Sequence, residues 1–477
     1  MAFSGRIKNV LPNAATIIDG DALPVTGGTL GEQLSAITAW TGMDMRIFGV
    51  EWDTGTSTST LTRINDAVGK VANIGVDAQV VANDFDSLPI WGEMKQVTDL
   101  SGNVFIRIPK FYIYKSFVPG GKSTLKVSKY KWPGFYLPWC FWDFANNREL
   151  PYFDFGKYKA GLDTTKLTSK AGEYPLVSKN IVEFRGYAEA NGAGYQQLDV
   201  HAYDVLATLF QIEFATLDSQ SVMAGYTSGQ YSASHALTAD TNPAGNSLVV
   251  ANATGALYRV GQAISVGTSL GGNQRFYGRT ITQIDADTPV AGSTTITFDG
   301  DAVALTTGYI LYNTGYKNGF SSSIMASSGC VGANDGKYPC SYRGIESPWG
   351  DVWQFVDGIN IEADYKPWVC ENADDYESNK FISPYKKLSY TNATSNSYVV
   401  EMGVDEEHPF ANFPTSVAVV ASSPYKDYYY QATGNRIALV GGSWISSSSA
   451  GLSCWNFHDD SSHTLVSIGG RLLRKPI

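Results

Sequence analysis

The chain has 477 residues, enough for several domains and a sizeable core. Only 17% of residues are charged and 13% are aromatic, including 28 Tyr and 11 Trp, a balance that suits β-rich proteins presenting Tyr and Trp on a binding surface. The net charge is −10 with no dense Lys/Arg stripe, which argues against a nucleic-acid binder, and no apolar run approaches the roughly 20 residues that span a bilayer.

The opening MAFSGRIKNVLPNAATIIDG has no apolar h-region, so cytoplasmic synthesis without a secretory signal is expected. Residues 1–45 read as an N-terminal attachment or oligomerisation segment. Within it, Thr29 to Glu32 has a capping-box pattern, followed by Leu30, Leu34 and Ile37 at helical spacing, which predicts a short amphipathic helix in TLGEQLSAITAW.

Residues 46–115 read as a β-rich N-terminal region. RIFGVEWD is one expected strand. NVFIRIPKFYIY is another, with an edge or bulge expected at Pro109, which cannot donate to a ladder. LDVHAYDVLATLFQIEF (198–214) is the strongest helix pattern, with Asp199 as cap. His201 in its first turn reads as a surface or packing residue.

Residues 239–315 read as an inserted all-β domain, with short Thr/Val-rich strands separated by Gly, Asn and Asp turns. Beyond it, FPTSVAVVAS and NRIALVGG are expected strands. Between Ala421 and Arg436, Tyr425, Tyr428, Tyr429 and Tyr430 are too many tyrosines to bury together. The five cysteines (Cys140, Cys330, Cys340, Cys370 and Cys454) form no C-x-x-C pair, so free thiols and no zinc site are expected.

Several stretches carry a resemblance. YRGIESPWGDVWQFVDGINI (342–361) contains Gly350-Asp-Val-Trp353-Gln-Phe355, which resembles the G-N-V-W-E-W element of the C-type lectin fold of the formylglycine-generating-enzyme type. ALVGGSW, ending at Trp444, resembles that fold's R-G-G-S-W strand, and SIGGRLL its closing strand. FGKYKA and FRGYAEANGAGYQQLD resemble its opening strand and the approach to its helix. The match covers about 155–235 and 316–477. It implies an α+β, C-type lectin-like domain in two parts, 116–238 and 316–477, interrupted by the insert.

FGVEWD, FIRIPKFYIYK and the PWG-x-VW-x-FVDGI run are together similar to tail-fibre receptor-binding proteins of bacteriophages and prophages, including the major tropism determinant. That resemblance implies a homotrimer in the virion tail, joined to tail or baseplate proteins by its N-terminus. It also implies binding of a bacterial surface glycan or protein through the segment after G-G-S-W. Ser446, Ser448, Trp455, Asn456, His458, Asp459, Asp460 and His463 are the expected contacts, with Tyr425, Tyr428 and Tyr429 beside them. Trp349, Trp353, Gly441, Gly442, Trp444 and Arg471 are the expected frame.

The fold also hosts enzymes, so the chemistry is read from residues. The formylglycine-generating enzymes use a cysteine pair after G-G-S, where this chain has only Cys454. The related sulfoxide-synthesising enzymes use three histidines, and no matching set is present. A non-enzymatic protein with no cofactor or bound metal is therefore expected. The alternatives are a glycan depolymerase, with Asp459/Asp460 or Asp351/Asp357 as nominal carboxylates, and a structural baseplate subunit.

Overall fold

The computed structural model describes residues 44–477. The expected helix in TLGEQLSAITAW and most of the 1–45 attachment segment lie outside the described residues. Strand is the predominant regular structure of the described chain, organised around one long buried helix.

That helix, α2, spans Val200–Phe214, and the side chain of Asp199 accepts from the Ala202 amide as its cap. Twelve of its fifteen residues are buried. It is buried nearly all round because sheets cover it on several sides. His201 is a packing residue: its Nε2 meets the Cys370 carbonyl at 3.1 Å, and burial pulls its pKa down to about 4. A shorter helix, α1 (Ile181–Glu189), was not anticipated. Its signal was present: Asn180 and Glu183 form a reciprocal capping box.

The RIFGVEWD stretch forms the strand Ile47–Asp53, with Phe48, Val50 and Trp52 turned into the α2 core. It lies in a four-stranded antiparallel sheet with Thr62–Asn65, Lys122–Ser128 and Tyr112–Ser116. Pro109 does more than disturb a strand. It ends Val104–Pro109 in a five-stranded sheet, and the chain then enters the four-stranded sheet as Tyr112–Ser116. NVFIRIPKFYIY is thus two strands in two sheets, and a boundary at 115 cuts through the second.

In the five-stranded sheet, Tyr152–Gly156 lies between Val104–Pro109 and the C-terminal strand Leu472–Arg474, with Phe155 opposite Leu473. The largest sheet has nine strands. At its centre, Trp353–Ile361 is buried at every position and pairs with Arg436–Gly441, which pairs in turn with Gly451–Phe457. One face of this sheet packs on α2. The other carries Phe355, Leu439 and Cys454 against Phe184 of α1.

The insert has its own core, including Leu248, Val266, Phe276, Ile296 and Leu311, under a five-stranded sheet. Its joint lies earlier than the expected residue 239. Leu237 donates to the Tyr309 carbonyl, Leu311 to that of His235, and Asn313 to that of Gln230 at 2.7 Å. The two ends of the insert are therefore hydrogen-bonded neighbours. Joining Gln230 to Asn313 through two glycines, with 231–312 removed, should leave a soluble protein with one cooperative melting transition, because the main core uses no residue from that span. Loss of that transition in a thermal scan would show that the insert is part of the main folding unit.

Candidate functional site

Two left-handed glycines build the turn at the end of the Arg436–Gly441 strand. Gly441 has φ 90° and Gly442 φ 77°, and a Cβ on Gly442 would sit 2.7 Å from the Ala450 Cβ. The backbone permits only glycine here without strain. Trp349 is fully buried, with Nε1 donating to the Met223 carbonyl at 3.1 Å. Trp444 is fully buried against Tyr226, Tyr316 and Val352, and Trp353 is buried at the start of the central strand.

Arg471 completes this frame and is wholly buried. Its Nε donates to Gln354 Oε1 at 2.8 Å, Nη1 to the carbonyls of Gly156 and Lys157, and Nη2 to those of Glu346 and Ser347. All five N–H groups of the guanidinium are used. Burial pulls its pKa down to about 9, which keeps it charged at neutral pH. Asp351 lies nearby, also buried, accepting the Tyr316 amide at 2.8 Å. Burial pushes its carboxyl above the usual range and pushes the Lys159 amine well below its own. Asp357 is held by Arg185 at 2.7 and 2.8 Å. Of the two nominal carboxylate pairs, Asp351 and Asp357 are thus committed to internal contacts.

The segment after the frame is more regular than expected. Gly451–Phe457 is an interior strand, buried except at Asn456. Trp455 is 6% exposed, with its ring centroid 5.0 Å from Phe413 and 5.5 Å from both Tyr203 and Phe457. It is a core residue under α2, so its expected role as a receptor contact is corrected. Tyr425 and Tyr429 are corrected for the same reason. Tyr425 is buried in the α2 core, and Tyr429 is fully buried with its hydroxyl on Gln431 Oε1 at 2.6 Å. Tyr425 lies in the bend before the strand Tyr428–Gln431, and Tyr429 on that strand's covered face; both belong to the core around α2.

The exposed surface is formed by alternation. Strand neighbours point to opposite sides, so burying Tyr429 turns Tyr428 and Tyr430 outward together. Tyr398 stands opposite Tyr428 in register. Tyr398, Tyr428 and Tyr430 are all half-buried and form a row ending on Trp353, with successive centroids 5.0, 4.7 and 5.9 Å apart. Tyr398 and Tyr430 are the site residues that sequence reasoning missed, although a Tyr-Tyr-Tyr run inside a strand carries the signal. Val419, beyond Ala418 in the neighbouring strand, is 68% exposed and extends the apolar area.

Polar groups frame the row. Asn456 lies in register with Tyr430. In the Ser446–Ser449 turn Ser447 and Ser448 are exposed and Ser446 and Ser449 half-buried, and Ser449 interacts with the Tyr430 hydroxyl. The Ser447 amide donates to the Thr227 carbonyl at 2.8 Å, tying the turn to the stem of the insert. At the far end of the strand, Asp459 is a hub. Its Oδ2 accepts from Asn456 Nδ2 at 3.2 Å, and its Oδ1 faces His458 Nδ1 at 3.3 Å and His463 Nε2 at 3.5 Å. His458 and Asp460 are exposed and His463 is half exposed. Asp460 accepts the Ser462 hydroxyl and amide, which hold its carboxyl below the usual range. Asp459 itself is mostly covered, so it orders this edge rather than presenting itself. Among the described residues no group of three or more His, Cys, Asp or Glu side chains has the arrangement to hold a metal ion. The five cysteines are buried and free.

No protein-family model matches the chain, and no curated protein matches it.

Beneath the row lies an unusual carboxyl. Asp427 is fully buried. Its Oδ2 accepts the Ser453 amide at 2.6 Å, while Oδ1 has no partner. A Cβ on Gly451 would lie 2.0 Å from that oxygen, so the glycine makes room for it. Burial pushes this carboxyl well above its ordinary value, and Asp218 adds to the rise.

Two outcomes follow from these placements. Trp455→Ala should cost about 3–5 kcal/mol, as for a core aromatic, whereas Tyr428→Ala should cost about 1 kcal/mol or less. Chemical denaturation of the two variants measures both, and equal losses would place Trp455 outside the core. For Asp427 the folded state favours the proton, so its stabilising contribution is complete below the unfolded carboxyl value of about 3.9 and declines as pH rises above it. Asp427→Asn keeps the acceptor for Ser453 and removes the titration. Its melting temperature should exceed that of the parent at pH 7, with the gap narrowing toward pH 4. A constant gap across that range would mean that Asp427 does not titrate with folding.

Proposed function

We propose that this protein is the receptor-binding protein of a bacteriophage or prophage tail, with a C-type lectin fold of the formylglycine-generating-enzyme type, and that it attaches the particle to a bacterial surface. The observation that carries this reading is the half-exposed row Tyr398–Tyr428–Tyr430, framed by ordered polar groups and mounted on a rigid buried scaffold. Tyrosine supplies broad, stiff contact area at low entropic cost, and Ser, Asn and His supply adaptable hydrogen bonds. The lectin-like assignment is supported by the pairing of Tyr152–Gly156 with Leu472–Arg474, which joins the resembling opening and closing strands. It is further supported by the placing of the PWG-x-VW and G-G-S-W stretches side by side, with the Gly350 amide on the Gly441 carbonyl at 3.0 Å.

The binding residues under this proposal are Tyr398, Tyr428, Tyr430, Ser446, Ser448, Asn456, His458, Asp460 and His463. The partner is a bacterial surface glycan or protein. Residues 1–45 join the tail, and the working assembly is a homotrimer whose repeated weak sites act together. Light scattering should then give three times the 51.7 kDa chain mass.

The deciding experiment uses the full chain, fluorescently labelled, on candidate host cells. Competition binding should show saturable attachment of the parent protein. Replacing Tyr398, Tyr428 and Tyr430 together by serine should reduce it at least tenfold while circular dichroism and melting show a folded protein. Undiminished attachment by the folded variant would move the receptor site off this face.

A further inference from the structure

A second cleft of about 250 Å³ shares no residue with the tyrosine face. It lies between the C-terminal half of α1, the strand Tyr195–Gln197, the 142–145 turn and the loop following Cys370. Three features of its walls point to one class of ligand.

The first is aromatic. Trp142 and Phe144 are both half-buried and line the cleft, and each packs against Trp139, at 5.9 and 5.3 Å between centroids. The wall is therefore backed and stiff. The second is a set of anchored hydrogen-bonding groups. Arg185 gives Nε and Nη2 to Asp357 and Nη2 also to Ser378 at 3.4 Å, which leaves Nη1 uncommitted. Gln196 gives Nε2 to Asp199 Oδ2 at 2.5 Å, and Gln197 gives Nε2 to Asp357 Oδ2 at 2.9 Å. Each amide thus has its nitrogen fixed, and the buried Gln197 Oε1 has no partner. Buried acceptors are seldom left in that state. The third is charge. Two cations, Arg185 and Lys475, line the cleft with four carboxylates, Asp143, Glu189, Asp357 and Asp374, a lining that repels anions and suits an uncharged ligand.

From these features we infer that the cleft is a second, independent binding site for a single sugar ring. A pyranose offers an apolar C–H face for the aromatic wall, and hydroxyls that accept from Arg185 and donate to the Gln196 oxygen. The volume is below the roughly 300–1,000 Å³ of pockets for drug-sized ligands, which suits one ring better than an oligosaccharide. A saccharide site here would engage a glycan terminus or branch while the tyrosine face holds a different element of the surface. The inference stands on the cleft alone and does not require the tail assignment.

The test uses saturation-transfer NMR with the methyl glycosides of glucose, galactose, mannose, rhamnose and N-acetylglucosamine. At least one should give saturable transfer with the full chain. Trp142→Ala removes the stacking wall, and Ala373→Phe fills the cleft from its rim. Each should weaken that signal at least tenfold, and the triple tyrosine-to-serine variant should keep it. If Trp142→Ala melts early, the rim variant decides alone. No transfer from any of the five glycosides would overturn the assignment. So would transfer that persists in a folded Ala373→Phe protein, or transfer that disappears in the triple tyrosine variant.

Discussion

One buried guanidinium ties this protein together. Arg471 has no contact with water, yet each of its N–H groups meets an oxygen: one on Gln354 of the central strand, two on the carbonyls of 156 and 157, and two on those of 346 and 347. Desolvating such a cation costs several kcal/mol, which is recovered only when the geometry satisfies every donor. The C-terminal strand is thereby fixed to segments more than a hundred residues distant in sequence. Removing Arg471 would take a hydrogen-bond donor from four carbonyls and from Gln354 Oε1 at once, so the central strand, the opening strand and the short strand Ile345–Glu346 are located by one side chain.

A similar device sits at the other end of α2. Glu213 is fully buried and meets Arg343 through both carboxylate oxygens, at 2.9 and 2.7 Å, with Tyr342 and Asn83 completing its shell. Lys115 and Asp204 pair in the N-terminal third of the helix, where Tyr136 also reaches Asp204 at 2.7 Å. Pairs of this kind add little net stability over an apolar core. They do specify partners, because a shifted helix would strand a charge. The sheets that enclose α2 are held in one arrangement by polar contacts and filled by apolar ones.

That rigidity makes the outer face usable. The tyrosine row and the serine turn lie on strands whose reverse sides are packed solidly on α2, so the exposed groups need little ordering when they bind. Asp459 does the same work at the edge by organising Asn456, His458 and His463 around one carboxylate. The serine turn is hydrogen-bonded to Thr227, three residues before the insert's joint at Gln230, so the chain leaves for the insert beside this face.

Local physics made much of the secondary structure legible. Helix α2 and its Asp199 cap follow from apolar spacing and a side chain that accepts the Ala202 amide. The strands at 47–53 and 436–441 follow from alternation, and the glycine pair at 441–442 announces a tight left-handed turn. Frame residues such as Trp349, Trp444 and Arg471 were also recognisable, since large side chains beside obligatory glycines belong under a turn. The side a strand shows to solvent was not legible. Trp455 and Asn456, or Tyr429 and Tyr430, differ by one position, and a shift of one reverses every side chain. Only the packing of α2 on one face decided that Trp455, Tyr425 and Tyr429 are core while Tyr398, Tyr428 and Tyr430 are surface. The split at Pro109 and the pairing of residue 155 with 473 were likewise tertiary outcomes. Sequence patterns report what a segment prefers along its own axis, whereas partners hundreds of residues away are chosen by burial and hydrogen bonding in the assembled fold.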